Sequence, residues 1–118
     1  MKLLDLLRPK LTGWEPLHLE TFQKELSFAE KDFHEVFQEL LLSKRMIRLP
    51  QGFYLSFDQF EKVKEKVKDF FKTHQEMGVT DIKDLFSFSR KYAIPYLEFF
   101  DQNKWTLRKG NVRVRWQI

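Results

Sequence analysis

The fold of this chain is decided in its last third, by the stretch SRKYAIPYLEFFDQNKWTLRKGNVRVRW, residues Ser89–Trp116. Ser89 is a typical helix N-cap residue, and apolar residues follow it at helical spacing. Pro95 lies about one and a half turns into this helix, where it predicts a bend. The alternative is a helix that begins only at Pro95, with residues 89–94 as a turn. The apolar stripe of the helix is Ala93, Tyr96, Leu97 and Phe100.

A β-hairpin follows this helix. Gly110-Asn111 suits a two-residue turn with positive φ, which sets the register of the strands on either side. This register pairs Lys109 with Val112, Arg108 with Arg113, Leu107 with Val114 and Thr106 with Arg115. Strand alternation then predicts an apolar face of Trp105, Leu107, Val114 and Trp116 and a polar face of Thr106, Arg108, Arg113 and Arg115.

Two features of this stretch are unfavourable by themselves. Arg108 and Arg113 face each other across the hairpin, and like charges in that position are destabilising. Arg90 and Lys91 follow the N-cap, where the helix dipole is already positive. A bound polyanion would resolve both conflicts, so the pattern predicts an anion site between helix start and wing. The alternatives are solvated strand arginines, and pairing of Arg90 with Glu98 or with an acid from the other module of the chain, residues 1–56.

The residues before this stretch complete a known arrangement. Residues 57–118 predict a long amphipathic helix, a short extended segment at Met77–Val79, a helix capped by Thr80, a corner at Ser87-Phe88, the last helix and the hairpin. A helix-turn-helix followed by a two-stranded wing is a winged helix. Tyr92, Trp105 and Trp116 are interpreted as core residues rather than as platforms for stacked bases.

Residues 1–56 repeat this plan. They predict a helix within Met1–Lys10, a helix carrying Leu19, Phe22 and Leu26, and a helix opened by the capping box Ser27-x-x-Glu30. The segments MIRL and FYL, joined by PQG, predict a hairpin. The fold class is therefore mainly α with short β-hairpins (α+β), in two tandem winged-helix modules, 1–56 and 57–118, with a very short join.

Composition narrows the function. The 118 residues contain no cysteine, which excludes disulfides and thiolate sites and fits a reducing compartment. The three histidines match no metal-ligand spacing, and no phosphate loop or nucleophile elbow is present. We therefore expect no catalytic residues, no metal and no cofactor. No apolar run is long enough to span a membrane, so a cytoplasmic protein is expected.

Charge is unevenly distributed along the chain. The net charge is +4, and residues 1–56 contribute eight bases and eight acids. From Ser89 onward there are seven bases and two acids, a net of +5. A basic end favours an anionic partner, most often nucleic acid. The alternative is a solvated charged surface without a binding role. It is the better interpretation of the segment EKVKEKVKD, because each lysine there has an acid nearby.

The last thirty residues also resemble a known family. The run Ser89-Arg90-Lys91-Tyr92, then Pro95, Leu97-Glu98 and Asp101, then Thr106, Arg108, Gly110-Asn111 and Arg113, is similar without gaps to the last winged helix of the bacterial selenocysteine-specific elongation factor SelB. The upstream half is more loosely similar to the preceding winged helix. The chain departs from the family pattern at Phe88 and in the helix end FFDQNKW.

The resemblance implies a non-catalytic fragment that binds a hairpin of selenoprotein mRNA, the SECIS element, near a recoded UGA codon. The full-length factor would also engage the ribosome, GTP and selenocysteyl-tRNA, whereas this fragment would act as a monomer without GTP. The RNA-binding residues implied are Ser89, Arg90, Lys91, Arg108, Lys109, Arg113 and Arg115. Alternatives from other classes are a winged-helix regulator that binds duplex DNA and a winged helix that binds another protein.

Overall fold

The computed structural model describes residues 11–25 and 30–118. The chain divides into two compact units, Met1–Phe60 and Glu61–Ile118. The division lies four residues beyond the module boundary predicted from the sequence, inside a helix. The predicted helix within Met1–Lys10 lies outside the described residues, as do Leu26 and the capping residue Ser27.

The described part of the first unit has two helices and a small sheet. Its elements in order are β1 (Leu17–His18), α1 (Leu19–Glu25), α2 (Glu30–Leu42), β2 (Met46–Arg48), a 3-10 turn (Pro50–Gly52) and β3 (Phe53–Ser56). The sheet order is β1-β3-β2, and both pairs are antiparallel. The hairpin is therefore confirmed. Strand β1 was not predicted, because two residues are too few to show a periodicity.

The core of the first unit is a cluster of buried apolar residues from its helices and its sheet. Phe37 of α2 meets Tyr54 of β3 edge to face, with ring centroids 4.9 Å apart. Such contacts add about 0.5–1.5 kcal/mol to the burial of the rings. The cluster consists of Leu17, Phe22, Phe37, Leu40, Met46 and Tyr54.

The second unit follows the order predicted for a winged helix. Helix α3 (Phe57–Thr73) begins before the division between the units and continues into the second. It is followed by β4 (Glu76–Met77), α4 (Val79–Phe86), α5 (Arg90–Gln102), β5 (Thr106–Lys109) and β6 (Val112–Arg115). The sheet order is β4-β6-β5, again antiparallel.

Two details of the helices in this unit differ from expectation or decide between alternatives. The cap of α4 is not Thr80, because the helix begins at Val79 and the Asp81 carboxylate accepts the N–H of Gly78 at 2.7 Å. Helix α5 begins at Arg90 and contains Pro95. The interpretation in which the helix starts only at Pro95 is therefore wrong.

Aromatic rings fill the core of the second unit. Tyr96 is fully buried and lies 5.2 Å from Phe86 and 4.9 Å from Phe88, centroid to centroid. Burial raises the pKa of the Tyr96 hydroxyl far above its usual value, so this ring carries no charge. Phe88, a departure from the family pattern, is 8% exposed and forms part of this packing. The core therefore holds the turn between α4 and α5 in place.

Candidate nucleic-acid interface

The first part of the candidate site is the start of α5. Ser89 has extended backbone (φ −78°, ψ 166°), as expected for an N-cap. Its hydroxyl makes no capping hydrogen bond, although its carbonyl oxygen accepts the N–H of Tyr92 at 3.1 Å. The predicted N-cap position is confirmed, and the side-chain bond expected of it is not formed. The Ser89 hydroxyl is therefore not used to cap the helix, and the first-turn N–H groups of a helix have no partner within the helical i→i−4 pattern.

The two cations of this first turn are exposed to solvent. Among the side chains that the structure describes, Arg90 is in none of the salt bridges, and the suggested pair with Glu98 is not among them. The ammonium of Lys91 lies 5.6 Å from the centre of the Tyr92 ring, a cation–π distance. The conflict between these cations and the helix dipole therefore persists in the folded chain.

The geometry of the preceding turn positions the helix start. Ser87 adopts a left-handed conformation with φ 55° and ψ 44°, which a non-glycine residue adopts only at a cost. The N–H groups of Ser87 and Phe88 both point to the carbonyl of Lys83, and Phe88 packs on the core. A rigid corner thus precedes Arg90.

The second part of the candidate site is the wing formed by β5 and β6. Its register is confirmed: Arg108 lies opposite Arg113, and Leu107 lies opposite Val114. Gly110 in the turn has φ 63°, which favours glycine. Arg108 is exposed, and its Nε donates to the carbonyl oxygen of Gly110 at 3.1 Å.

Arg113 is not on an open face of the wing, and that prediction is wrong. It is 6% exposed. Its Nε and one terminal nitrogen donate to Asp101 Oδ2 at 3.1 and 3.0 Å. The hydroxyl of Thr106, 1% exposed, donates to Asp101 Oδ1 at 2.6 Å. The carboxylate of α5, rather than a bound anion, thus neutralises the charge opposite Arg108.

These bonds show which face of the wing packs inward. Met77 of β4 lies opposite Arg113 and is fully buried, so the polar face of the hairpin is the inner one. The supposed core face is open, with Leu107 46% and Trp116 49% exposed. Trp105 is in the core as predicted, at 6% exposure, but the same prediction for Trp116 is wrong. Tyr92 is half-buried.

The remaining predicted residues are at the edges of the wing. Lys109 is exposed at the end of β5, and Arg115 is exposed at the end of β6. The Nε of Arg115 donates to the carbonyl oxygen of Ile118 at 2.8 Å. Arg90 precedes Asp101 by eleven residues, or about 16 Å along the helix axis. An extended ligand, rather than a single ion, is needed to touch both the helix start and the base of the wing.

Other chemistry finds no support in the described residues. No group of three or more His, Asp or Glu side chains there could hold a metal ion. The His18 ring bonds Thr21 Oγ1 at 2.9 Å, and the His74 ring stacks on Phe70, so both are occupied locally. None of the described helices combines the length and the apolar character needed to cross a bilayer.

The order of elements and the wing define the second unit as a winged-helix domain. A family model described as "Elongation factor SelB, winged helix" matches residues 69–115. This match confirms, for residues 69–115, the resemblance to elongation factor SelB seen in the sequence. The matched family is a winged-helix domain, in agreement with the expectation of a region without catalytic function.

The similarity to selenocysteine-specific elongation factors extends upstream of the residues that the family model matches. A selenocysteine-specific elongation factor from Desulfomicrobium baculatum is 34% identical over 101 residues, 86% of this chain. The chain spans only 16% of that relative's length. Two solved structures share the fold. The mRNA-binding domain of E. coli SelB in complex with SECIS RNA has a TM-score of 0.78 at 22% identity, over 92% of this chain and 90% of that one. A bacterial selenocysteine-specific elongation factor has a TM-score of 0.73 at 23% identity, over 99% of this chain and 18% of that one.

Proposed function

We propose that this chain is a non-catalytic RNA-binding region of a selenocysteine-specific elongation factor, which recognises the SECIS hairpin of selenoprotein mRNA and directs selenocysteine incorporation at UGA. The observation that carries the proposal is the start of α5. Arg90 and Lys91 are exposed there, beside the Ser89 hydroxyl, which makes no capping hydrogen bond. This segment lies within the residues that match the SelB winged-helix family.

The roles of the predicted residues follow from their exposure. Ser89, Arg90 and Lys91 bind RNA backbone and loop at the helix start. Arg108, Lys109 and Arg115 bind phosphates along the wing. Arg113 acts indirectly, because its guanidinium is committed to Asp101. A-form RNA has a major groove too narrow for a helix, so α5 contacts the RNA with its end rather than its side.

The finer architecture is also part of the proposal. The two units are tandem winged helices, of which the second binds RNA and the first is a spacer or binds another partner. The described order of the first unit, two helices followed by a hairpin, supports this assignment. So does the similarity to the D. baculatum factor, which extends over 86% of the chain.

The whole factor supplies the rest of the context. A translation factor of this class acts in the cytoplasm, together with the ribosome, GTP and selenocysteyl-tRNA. The region described here contributes the RNA contact and works as a monomer. Its RNA contact holds the factor beside the codon that is to be recoded.

A binding panel tests this function. The chain is titrated with short RNA hairpins taken from around in-frame UGA codons, with scrambled hairpins and with DNA duplexes of equal length. We expect tighter binding to one class of RNA hairpin. The logarithm of the binding constant should fall with the logarithm of the salt concentration, with a slope between about −3.5 and −4.5 if the five exposed cations of the candidate site each meet a phosphate. Equal or tighter binding to duplex DNA favours a DNA-binding regulator instead, and a flat salt dependence favours a protein partner.

A further inference from the structure

The outer face of the wing is open and partly apolar. We use the name outer wing face for the side of the sheet that carries Leu107 and Val114 together with Trp116, which follows two residues beyond Val114. Leu107 is 46% and Trp116 49% exposed. Single exposed apolar residues are ordinary, but two on one narrow ribbon, one of them an indole, mark an interaction surface.

The contrast between two tryptophans sharpens this observation. Trp105 and Trp116 are neighbours across the ribbon, because the N–H of Trp116 donates to the carbonyl of Trp105 at 2.9 Å. Trp105 packs against Phe99 and Phe100, with centroid distances of 5.8 and 5.4 Å. Trp116 has no aromatic neighbour in the described part of the chain. One indole belongs to the core, and the other presents its surface to solvent.

The charges around this face select the kind of partner. Lys109, two residues beyond Leu107 on β5, is exposed on this side, and Lys104, whose carbonyl accepts the N–H of Gln117 at 3.0 Å, is exposed at the Trp116 end. Glu76, opposite Val114 on β4, is an exposed acid on the same side. Two cations against this carboxylate favour an anionic occupant. A second copy of this chain, meeting the same face by two-fold symmetry, would bring like charges together.

We infer that Trp116 stacks on an unpaired base of the bound RNA, with Lys104 and Lys109 available to the adjoining phosphates. Bases within a stem already cover each other, so only a looped-out or flanking base offers a free ring face. This inference rests on the proposed function and extends it. It adds a base contact on the outer wing face to the phosphate contacts at the start of α5.

The test asks whether the Trp116 side chain and one unpaired base contribute to the affinity through the same contact. Trp116→Ala and Trp116→Phe are compared with the wild-type chain on an RNA hairpin. The same measurement is made on a series in which each unpaired nucleotide in turn lacks its base but keeps its phosphate. Phe57→Ala is the matched control, because Phe57 is an aromatic residue of similar exposure, 45%, in the first unit.

We expect Trp116→Ala to weaken binding of the intact hairpin by roughly 5- to 150-fold, the range for loss of one stacked base. Trp116→Phe should stay within about threefold, because a ring remains. One abasic RNA should reproduce the loss, and Trp116→Ala should weaken binding to that RNA no further. The salt slope should be unchanged, since no phosphate contact is removed.

Other results overturn the inference and distinguish it from the function on which it rests. If Trp116→Ala binds the intact hairpin as tightly as the wild-type chain does, stacking is refuted and the proposed function stands. The same holds if the loss of affinity caused by Trp116→Ala adds to the loss caused by base removal on every abasic RNA. If the wild-type chain sediments as a dimer and Trp116→Ala sediments as a monomer, the outer wing face binds a second copy of the chain. A wild-type chain that binds no hairpin refutes the proposed function itself. If Trp116→Ala does not fold, the wild-type indole fluorescence decides: intact RNA should quench it, and equal quenching by every abasic RNA contradicts stacking.

Discussion

The base of the wing and the start of α5 are both basic, and they use their cations in opposite ways. At the base of the wing, Arg113 is 6% exposed and bound to Asp101 at 3.0 Å. At the start of α5, Arg90 and Lys91 are exposed beside a hydroxyl that caps nothing. The first group stabilises the fold, and the second opposes it. The number of cations in a region therefore does not define a binding surface, because a carboxylate elsewhere in the fold can neutralise some of them.

The largest effect on stability is expected from removing the ion pair between Asp101 and the buried Arg113. Asp101→Asn leaves Arg113 without a counter-charge and should lower the free energy of unfolding by about 2 to 4 kcal/mol, toward the low end for a buried pair because the Asp101 side chain keeps 27% exposure. Urea unfolding followed by circular dichroism measures the loss. The control is Glu65→Gln, which breaks the exposed pair with Lys68 at 3.9 Å and should change stability by less than about 1 kcal/mol. Equal losses in both variants would mean that the Asp101 pair is no more than a surface contact.

An intermediate effect is expected from removing an exposed cation at the start of α5. Arg90→Ala should weaken RNA hairpin binding by about 1 to 3 kcal/mol. It should leave stability unchanged, or raise it by up to about 1 kcal/mol, because it removes a cation from the positive end of α5. Calorimetric titration at fixed salt and a thermal melt of the free chain report the two quantities. Lys62→Ala removes the same charge from the exposed side of α3 and should leave the affinity within twofold. A loss of stability in Arg90→Ala would place Arg90 with Arg113, among the structural cations.

The smallest effect compares two helix starts. Ser89→Ala should change the free energy of unfolding by less than about 0.5 kcal/mol, because the hydroxyl makes no capping bond. Asp81→Ala should cost about 1 kcal/mol, since its carboxylate accepts the Gly78 N–H at 2.7 Å. Denaturant midpoints of both variants measure the difference. A larger loss for Ser89→Ala than for Asp81→Ala would contradict the idea that the start of α5 is left open for a ligand.

Local signals predicted much of the second unit. Gly110-Asn111 determines the turn, and the turn determines which residues face each other, so the pairing of Arg108 with Arg113 could be derived from neighbours in sequence. The N-cap position of Ser89 follows in the same way. The cap of α4 could not be chosen locally, because Gly78, Thr80 and the Asp81 side chain all suit a helix start.

The site was predicted only in part. Of the two electrostatic conflicts that suggested an anion, the one at Arg90 and Lys91 remains in the folded chain. The one at Arg113 disappears, because Asp101 lies twelve residues earlier and meets it only after the wing packs on α5.

The sequence by itself determined the helices of the second unit, the hairpin register and the basic character of the last thirty residues, because periodicity, turn chemistry and charge act between near neighbours. Only the tertiary structure decided which face of the wing turns inward. Apolar content alone would have buried Leu107 and Trp116. Packing against α5 instead buries Thr106 and Arg113, because Asp101 accepts hydrogen bonds from both and satisfies their polar groups away from water.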